Sequence, residues 1–361
     1  MNPDFYPDLH PDSEPIAEHI SEHIRAAAAL LEEGKLVAFP TETVYGLGAD
    51  AENPDAVRAI FAAKGRPADH PLIVHVARNA DLEHWAREVP LQAQQLIDAF
   101  WPGPLTLILP RAPEVPALVA GGQDSIGLRC PSHPVAQALL AAFKHGQGGI
   151  AGPSANRFGH VSPTTAQHVI DEFGAPSAPG VSSDSPLACV LDGGQSDVGI
   201  ESTIIDLSRL PTHGAVLLRP GRISAAQIAE VLGDMPAMPD RSAPRVSGSL
   251  EAHYAPNTPL ALVATEQLPE LMQRLSARGR RFALMYYTQA ATNSQAAVRL
   301  PLSADPQAYA HALYATLRML DMKACELILV EQPPQDERWQ GVNDRLRRAA
   351  FDSAGVLERL L

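Results

Sequence analysis

Two cations stand two residues apart in this chain, at Lys64 and Arg66, where a predicted helix runs into a loop. Arginine offers a planar fork of hydrogen-bond donors and lysine a compact charge, so the pair can bracket a polyphosphate. The same charges could instead complement the carboxyl end of the preceding helix dipole. The tripeptide Lys64-Gly65-Arg66 is compatible with either role, because motifs this short also occur by chance.

Ser154 and Asn156 follow a short predicted strand over 149–152 and a proline. Hydroxyl and amide groups at the carboxyl end of a strand are well placed to bind a ligand. Proline, serine and asparagine are also favoured in turns, where the polar side chains bond to local backbone. The segment therefore predicts either a ligand contact or a simple turn.

Arg129 lies inside the apolar strand predicted over 125–130, where an unpaired charge would be costly. It therefore needs an anionic partner, and a protein carboxylate or a ligand carboxylate would serve equally. Arg219 ends another predicted strand just before a Pro-Gly pair, and we expect it to be solvated. Glu201 and Ser202 open the strand predicted over 202–207, and we expect an edge turn there.

His70 and His75 flank the start of a predicted strand. Neither has a cysteine or histidine at the spacing of a zinc finger, so we expect no zinc site. The sequence also contains neither the G-x-S-x-G elbow of serine hydrolases nor a phosphate-binding lysine loop. We therefore expect chemistry that needs no covalent nucleophile.

The segment 36–75 organises this part of the chain, because it delivers several of these groups on loops between core strands. It begins with a strand predicted over 35–39, passes through a polar, glycine-containing turn, and returns as a strand over 72–76. Between them a helix begins at Asn53-Pro54, an N-cap followed by proline at the first helical position. Gly65 is expected to end that helix.

The remaining pattern predicts two α/β domains. In the first, over 16–233, we expect further helices over 16–33, 91–100, 133–144, 162–174 and 224–233, and strands over 105–109, 188–191 and 215–219. A proline-rich linker over 234–258 follows. The second domain, 259–361, alternates strands over 260–263, 282–286, 298–302 and 327–330 with helices over 268–277, 305–322 and from 342. Such alternation predicts a small Rossmann-like unit with a parallel sheet, and without G-x-G-x-x-G it implies no dinucleotide site.

Composition restricts the function further. The chain has 361 residues, a net charge of −13 and three cysteines that form no close pair. This acidity argues against a protein that coats nucleic acid, and the sparse cysteines fit a reducing cytosol. No apolar run reaches the roughly 18–20 residues of a membrane span. Residues 1–15 are acidic and proline-rich, unlike a secretory signal, and are expected to form a flexible tail.

Seven segments then occur in one order: PTETVYGLG, KGRP followed by HPLIVHV, WPGPLTLIL, SIGLRCP, PSAN, ESTIID and LLRPG. In this combination the chain closely resembles the YrdC-like threonylcarbamoyl-AMP synthases, in the long form with an extra C-terminal domain. HYAP at 253–256 is a further marker of that form. The resemblance implies a twisted, mixed-sheet α/β first domain with a large basic cavity.

The resemblance also implies the reaction of L-threonine, bicarbonate and ATP to threonylcarbamoyl-AMP and pyrophosphate. Partner proteins would then transfer the threonylcarbamoyl group to the adenosine beside the anticodon of tRNAs that read codons beginning with A. Lys64 and Arg66 would be the catalytic cations. The residues implied for ATP are Lys64, Arg66, His70, Ser125, Ser154, Asn156, Ser162, Arg219 and Tyr254. The residues implied for threonine are Thr43, His75, Arg129, Gly152 and Ser202.

Further expectations follow from this likeness. Mg2+ would be held mainly by ATP phosphates, because such sites rarely use a full protein cage. His253 and Tyr254 of the linker would close over the nucleotide, with the C-terminal domain as a lid or support. A cytoplasmic protein with no membrane contact and weak or absent direct tRNA binding is expected. Two rivals are a non-enzymatic module that binds double-stranded RNA or tRNA, and a carbamoyl-adenylate synthase that uses carbamoyl phosphate.

Overall fold

The computed structural model describes residues 14–176, 184–248, 251–288 and 296–361, so residues 1–13 of the predicted tail lie outside the described residues. Two β-sheets, each covered by helices, account for these segments. Within the described residues, no helix has the length and apolar character that a bilayer crossing requires.

The first sheet is mixed and has nine strands. They are β1 (Leu36–Phe39), β2 (Gly46–Asp50), β3 (Ile73–Val76), β4 (Leu105–Pro110), β5 (Ser125–Arg129), β6 (Gly149–Ala151), β7 (Leu187–Val190), β8 (Thr203–Asp206) and β9 (Val216–Arg219). Their order is β7-β1-β2-β6-β3-β5-β4-β8-β9. The pairs β1/β7, β3/β5 and β4/β8 are parallel and the others antiparallel, which confirms the predicted mixed sheet.

The turn predicted after 35–39 is wrong over Gly46–Asp50, which forms β2 instead. Both glycines of this strand lie close to the neighbouring strand β1. A methyl group on Gly48 would come within 2.9 Å of the Val37 carbonyl oxygen, and one on Gly46 within 3.0 Å of the Phe39 ring. The glycines therefore permit a close approach of strands, whereas their pattern in the sequence is that of a turn.

In the described part of this domain, seven α-helices accompany the sheet. They are α1 (Glu14–Glu32), α2 (Pro54–Lys64), α3 (Leu91–Phe100), α4 (Pro134–Ala142), α5 (Ala166–Phe173), α6 (Leu210–His213) and α7 (Ala225–Leu232). The helix predicted over 133–144 ends early, at Ala142, because the backbone of Phe143 is extended, with a ψ of 121°. The helix predicted from Ser162 starts only at Ala166, after Thr165 accepts a hydrogen bond from the His168 N–H as the N-cap.

Helix α2 is terminated as the sequence predicts. The Asn53 side chain accepts from two backbone N–H groups of the first turn, and Pro54 occupies the first helical position. At the other end Gly65 takes a left-handed φ of 62° and donates its N–H to the helix. This C-cap turns the chain sharply between Lys64 and Arg66 and so separates the directions of the two cations.

The second sheet is entirely parallel, as predicted. Its strands are β10 (Leu260–Val263), β11 (Phe282–Tyr286), β12 (Val298–Pro301) and β13 (Leu327–Glu331), in the order β10-β13-β11-β12. The accompanying helices are α8 (Leu268–Ala277), α9 (Pro306–Asp321), α10 (Gln340–Ala350) and α11 (Val356–Leu360). The last helix, predicted from 342, is therefore two helices, interrupted by Gly355 with a left-handed φ of 75°.

The two domains share one apolar cluster. Val44, Val161 and Ile200 of the first domain pack in the same buried group as Tyr314 of α9 and Trp339, which precedes α10. Burial of shared apolar side chains is the main force that holds such units together. The loops that precede β2 and β8 are consequently pressed between both domains.

Candidate active site

A small cavity of about 30 Å³ lies where β3, β5, β6 and β8 end or begin. Its lining includes all five residues implied for threonine: Thr43, His75, Arg129, Gly152 and Ser202. Strand pairing explains the convergence, because β3 and β5 place His75 opposite Arg129 in register. Of the residues implied for ATP, the cavity is lined by Ser154, Arg219 and Tyr254.

Arg129 is buried and has a protein carboxylate as its partner. One terminal nitrogen donates to Glu42 Oε1 at 2.6 Å and the other to Thr43 Oγ1 at 2.8 Å. Its Nε contacts the Gly103 carbonyl oxygen at 3.4 Å. A guanidinium carries five N–H groups, so each terminal nitrogen retains one further donor. The ion pair with Glu42 thus balances the charge while donors remain for a second anion.

His75 is neutral in this site. Burial and the nearby Arg129 charge lower its pKa to about 3. Its ring approaches the backbone so closely that a methyl group on Gly152 would lie 2.8 Å from Nδ1. That buried Nδ1 atom has no hydrogen-bond partner among the described residues. A buried polar atom without a partner at a cavity is a position where a ligand can bond.

Lys64 is buried beneath the Ser154–Asn156 loop. Its Nζ donates to the carbonyl oxygens of both Ser154, at 2.6 Å, and Asn156. It therefore bonds to a separate loop rather than to the carboxyl end of α2. Burial and the charge of Arg66 lower the pKa of Lys64 well below its usual range. An anion bound nearby would therefore stabilise the charged form of Lys64.

Arg66 and Arg219 are also buried cations, and both contact the linker. Arg66 donates to the Pro71 carbonyl oxygen at 2.9 Å, and Arg219 donates to Ser202 Oγ at 3.0 Å. Ser247 lies between them, its hydroxyl 3.4 Å from Arg66 and its carbonyl oxygen 2.8 Å from Arg219. Burial lowers the pKa of Arg66 to about 10 and also that of Arg219. The prediction of a solvated Arg219 is wrong, because β9 is covered by the linker.

The remaining residues implied for ATP lie around this cationic group. Asn156 bonds through its amide nitrogen to two carbonyl oxygens, and its buried Oδ1 is without a partner in the described part of the chain. His70 and Arg66 both approach the Phe158 ring. Ser125 does not line the main cavity. It borders an adjoining space of about 10 Å³ that linker residues 245–247 cover.

Glu201 is a functional candidate to which the sequence assigned no role. It lines the cavity, and its carboxylate accepts from Ser162 Oγ at 2.6 Å and from Tyr314 Oη at 2.9 Å. The Arg345 and Arg219 charges and the Ser162 bond lower its pKa to about 2 despite burial. The predicted edge turn is wrong, because β8 lies between β4 and β9 inside the sheet. The signal that could have identified Glu201 is its position just before an apolar strand, because a carboxylate buried there needs a cation nearby.

Linker residues His253 and Tyr254 cover the same side of the cavity. Their rings lie 4.2 Å apart, and His253 also contacts Phe158. Burial lowers the pKa of His253 to about 3 and raises that of Tyr254 to about 12, so both are uncharged near neutral pH. The buried Tyr254 hydroxyl has no hydrogen-bond partner within the described segments. It is therefore a second orphaned polar group at this cavity.

The residues described form no cluster of three or more acidic, histidine or cysteine side chains able to hold a metal ion. The carboxylate that lines the cavity, Glu201, and the one paired with Arg129, Glu42, already accept hydrogen bonds on both oxygens. Glu42 bonds to Arg129 and to the Ser132 N–H, and Glu201 bonds to Ser162 and Tyr314. The side chains thus offer no ready protein cage for Mg2+.

Comparison with known proteins identifies relatives of the whole chain. A family model described as "Telomere recombination" matches residues 29–221, and one described as "Threonylcarbamoyl-AMP synthase, C-terminal domain" matches residues 223–351. The threonylcarbamoyl-AMP synthase of Pyrococcus abyssi is 38% identical over 91% of this chain and 94% of its own. That of Bacillus subtilis is 38% identical, covering 91% and 92%. A crystal structure of P. abyssi Sua5 complexed with L-threonine superposes with a TM-score of 0.82 at 36% identity, covering 92% and 95%.

Proposed function

The chain belongs to the threonylcarbamoyl-AMP synthase family, and from that premise we propose that it converts L-threonine, bicarbonate and ATP to threonylcarbamoyl-AMP and pyrophosphate. The observation that carries this proposal is the convergence of Thr43, His75, Arg129, Gly152 and Ser202 on one cavity beside three buried cations. A cavity with these groups suits an amino acid on one side and a polyanion on the other.

The threonine amine attacks the carbon of bicarbonate, and loss of water leaves a carbamate. The free donors of Arg129 bind the threonine carboxylate, in a charge-assisted pair. Neutral His75 and the hydroxyl of Thr43 bond to the amine and hydroxyl of the substrate, with Ser202 and the Gly152 backbone completing the pocket. Because carbamates decompose in water, the small, enclosed site contributes by holding the reactants together and excluding solvent.

A carbamate oxygen then attacks the α-phosphorus of ATP, and the bond to pyrophosphate breaks. Lys64, Arg66 and Arg219 stabilise the negative charge that develops on the phosphates. Ser154, Asn156, Ser162, Ser125, His70 and Tyr254 supply hydrogen bonds or packing around the nucleotide. The lowered pKa values of the three groups support this assignment, because burial and mutual repulsion disfavour their charged forms and a bound anion would offset both effects.

The linker moves when ATP binds. A cavity of about 30 Å³ holds roughly one water molecule, far less than ATP and threonine require. Ser247 also occupies donors of Arg66 and Arg219 that the phosphates need. We therefore assign displacement of residues 245–248 to nucleotide binding, with His253 and Tyr254 covering the bound substrates.

Mg2+ accompanies the nucleotide and is bound by phosphate oxygens, because the engaged carboxylates of Glu42 and Glu201 leave it no protein cage. The ion, when bound, neutralises phosphate charge. The adenylate then passes to other proteins that transfer the threonylcarbamoyl group to tRNA in the cytoplasm. Direct binding of tRNA is weak or absent, since the cations of the site are buried rather than displayed to a duplex.

The test is to incubate the purified chain with ATP, Mg2+, labelled bicarbonate and single amino acids, and to measure pyrophosphate. Threonine-dependent release with label in the adenylate supports the proposal. Turnover with carbamoyl phosphate but not threonine would indicate a carbamoyl-adenylate synthase. Tight tRNA binding without turnover would indicate the RNA-binding module.

A further inference from the structure

The carboxylate of Glu201 is held from the C-terminal domain as well as from its own. Tyr314 of α9 donates to Oε2 at 2.9 Å, and Arg345 of α10 donates through Nε to the same oxygen at 2.9 Å. Arg345 also bonds to the Glu201 backbone oxygen at 3.2 Å. Only Ser162, on Oε1, comes from the first domain. Two of the three side-chain donors of this cavity residue therefore belong to the other domain.

Close backbone contacts keep these helices at fixed distances from Glu201. A methyl group on Gly199 would lie 2.5 Å from the Ala310 carbonyl oxygen of α9. One on Gly341 of α10 would lie 3.2 Å from the Gly221 carbonyl oxygen. Since packed backbones do not deform continuously, the helices and the segment 199–202 act as one unit. The position of Glu201 thus depends on how the C-terminal domain is seated.

Arg345 is fully buried, and its bonds join α10 to the residue after β9 as well as to Glu201. It donates to the Pro220 carbonyl oxygen at 2.6 Å and to Asp344 at 3.1 Å, and its guanidinium lies 5.5 Å from the centre of the Tyr254 ring. Asp344 also pairs with Arg347 and Arg348. Arg345 therefore bonds to two carboxylates, Asp344 and Glu201, and of these only Glu201 lines the cavity.

The charge of Glu201 bears on nucleotide binding. Its carboxylate attracts Arg219 and lies within the field of Lys64. If it turned toward Arg219, it would neutralise a cation that the triphosphate needs and would repel the phosphates. The pair with Arg345 directs that negative charge to the domain interface instead. Without Arg345, the buried Glu201 carboxylate would be expected to pair with the nearest remaining cation, Arg219.

We propose that Arg345 and Tyr314 are positioning residues, through which the C-terminal domain keeps the Glu201 carboxylate turned away from the phosphate-binding cation Arg219. This inference rests on the proposed ATP-dependent function, because it assigns the cations to the triphosphate. It gives the C-terminal domain a role in nucleotide binding, exerted through Glu201.

The test combines Arg345→Met with Glu201→Gln in the full chain. Arg345→Met alone raises both the Kd for Mg-ATP and the KM for ATP on the order of tenfold, with the threonine KM within about twofold. Adding Glu201→Gln removes the misplaced charge and restores ATP affinity to within about threefold of the unmodified chain. A loss of packing alone would not be rescued by this second change.

Arg347→Met is the matched control, since Arg347 lies on α10, bonds to the same Asp344 and is exposed at 71% of its side chain. It leaves ATP binding unchanged. Tyr314→Phe keeps the ring packing, removes one donor and raises the ATP Kd about threefold, so the proposal remains testable even if Arg345→Met does not fold.

Two results would overturn the inference: normal ATP affinity in Arg345→Met and Tyr314→Phe, or a double variant that binds ATP no better than Arg345→Met. Direct titration with Mg-ATP separates this inference from the proposed function. ATP binding without threonine-dependent pyrophosphate release contradicts the proposed reaction, while the ratio of ATP affinities still decides the role of Arg345. An unmodified chain that binds no ATP contradicts both.

Discussion

Two buried glutamates lie at the candidate site, and their partners come from different places: Glu201 lines the cavity, whereas Glu42 is joined to it through the lining residue Arg129. Glu42 pairs with Arg129, and the further bonds of this pair go to Thr43, Gly103 and Ser132, all in the first domain. Glu201 pairs with Arg345, which arrives from the C-terminal domain. The carboxylate beside the proposed threonine pocket is thus held within the first domain, whereas the carboxylate beside the proposed phosphate-binding cations is also held by the C-terminal domain.

This difference has a physical basis in the two substrates. An amino acid is small, and one arginine with a few hydroxyl groups neutralises and orients it. A triphosphate needs several buried cations, whose mutual repulsion and desolvation are costly until the anion arrives. Linker atoms, among them both oxygens of Ser247, bond to those cations in this structure. The cations proposed for the nucleotide are therefore covered by linker atoms, which must move before phosphates can bind.

The largest expected effect is on the nucleotide side, from Lys64→Ala or Arg66→Ala. Each removes a buried cation from the phosphates and lowers kcat/KM for ATP by on the order of 100-fold or more, because charge stabilisation dominates the phosphate step. The measurement is initial-rate kinetics of pyrophosphate release. Arg58→Ala, an exposed arginine on the same helix, serves as the control and retains normal rates. Normal kinetics in either site variant would contradict the phosphate role.

The next effect is on the threonine side. Arg129→Ala raises the KM for threonine about 100-fold and leaves the KM for ATP within about threefold, because its guanidinium faces only the amino-acid pocket. It also leaves Glu42 buried and unpaired, which destabilises the fold by about 3–5 kcal/mol in thermal unfolding. Equal changes in both KM values would show that the two sides of the cavity are not separable.

The sequence predicts much of this arrangement, but not all. The caps of α2 and the parallel C-terminal sheet follow from local signals, namely Asn53, Gly65 and the alternation of elements. Strand β2 does not, because its glycines serve a close approach that only tertiary contacts reveal. The sequence indicates that Arg129 needs an anion, but it does not distinguish a protein carboxylate from a ligand. The actual partner, Glu42, is separated from Arg129 along the chain by strands β2, β3 and β4.

The partners of Glu201 and Arg219 could not be predicted for a related reason. Both residues stand beside turn-forming segments, and local patterns therefore indicate exposure. Their burial comes from helices α9 and α10 and from the linker, more than 25 residues away along the chain in each case. The sequence identifies the charged residues, but which of them pair depends on packing between distant segments of the chain.

A smaller change tests the fit between His75 and the backbone. Gly152→Ala adds a methyl group 2.8 Å from Nδ1, so the ring must shift and the threonine KM rises about tenfold. Gly127→Ala is the control on β5, where the nearest atom is the Ile108 methyl end at 3.1 Å. Steady-state kinetics at saturating ATP measure both. A tenfold rise in the ATP KM instead would place His75 on the nucleotide side.

The smallest expected effect comes from the linker. Ser247→Ala deletes the hydroxyl that contacts Arg66 at 3.4 Å but keeps the carbonyl bond to Arg219. Losing one weak bond of the covered state lowers the Kd for Mg-ATP by about twofold, as seen by calorimetric titration. A weaker affinity in this variant would mean that Ser247 binds the nucleotide rather than competing with it.

The comparison between the two sides is tested most directly by titrating L-threonine and Mg-ATP separately into Arg129→Ala and Arg345→Met. The account predicts that the first variant loses threonine binding and retains ATP binding. It predicts that the second binds threonine normally and ATP about tenfold more weakly. If both variants weaken both ligands to the same extent, the division of the cavity into a threonine side and a nucleotide side is contradicted.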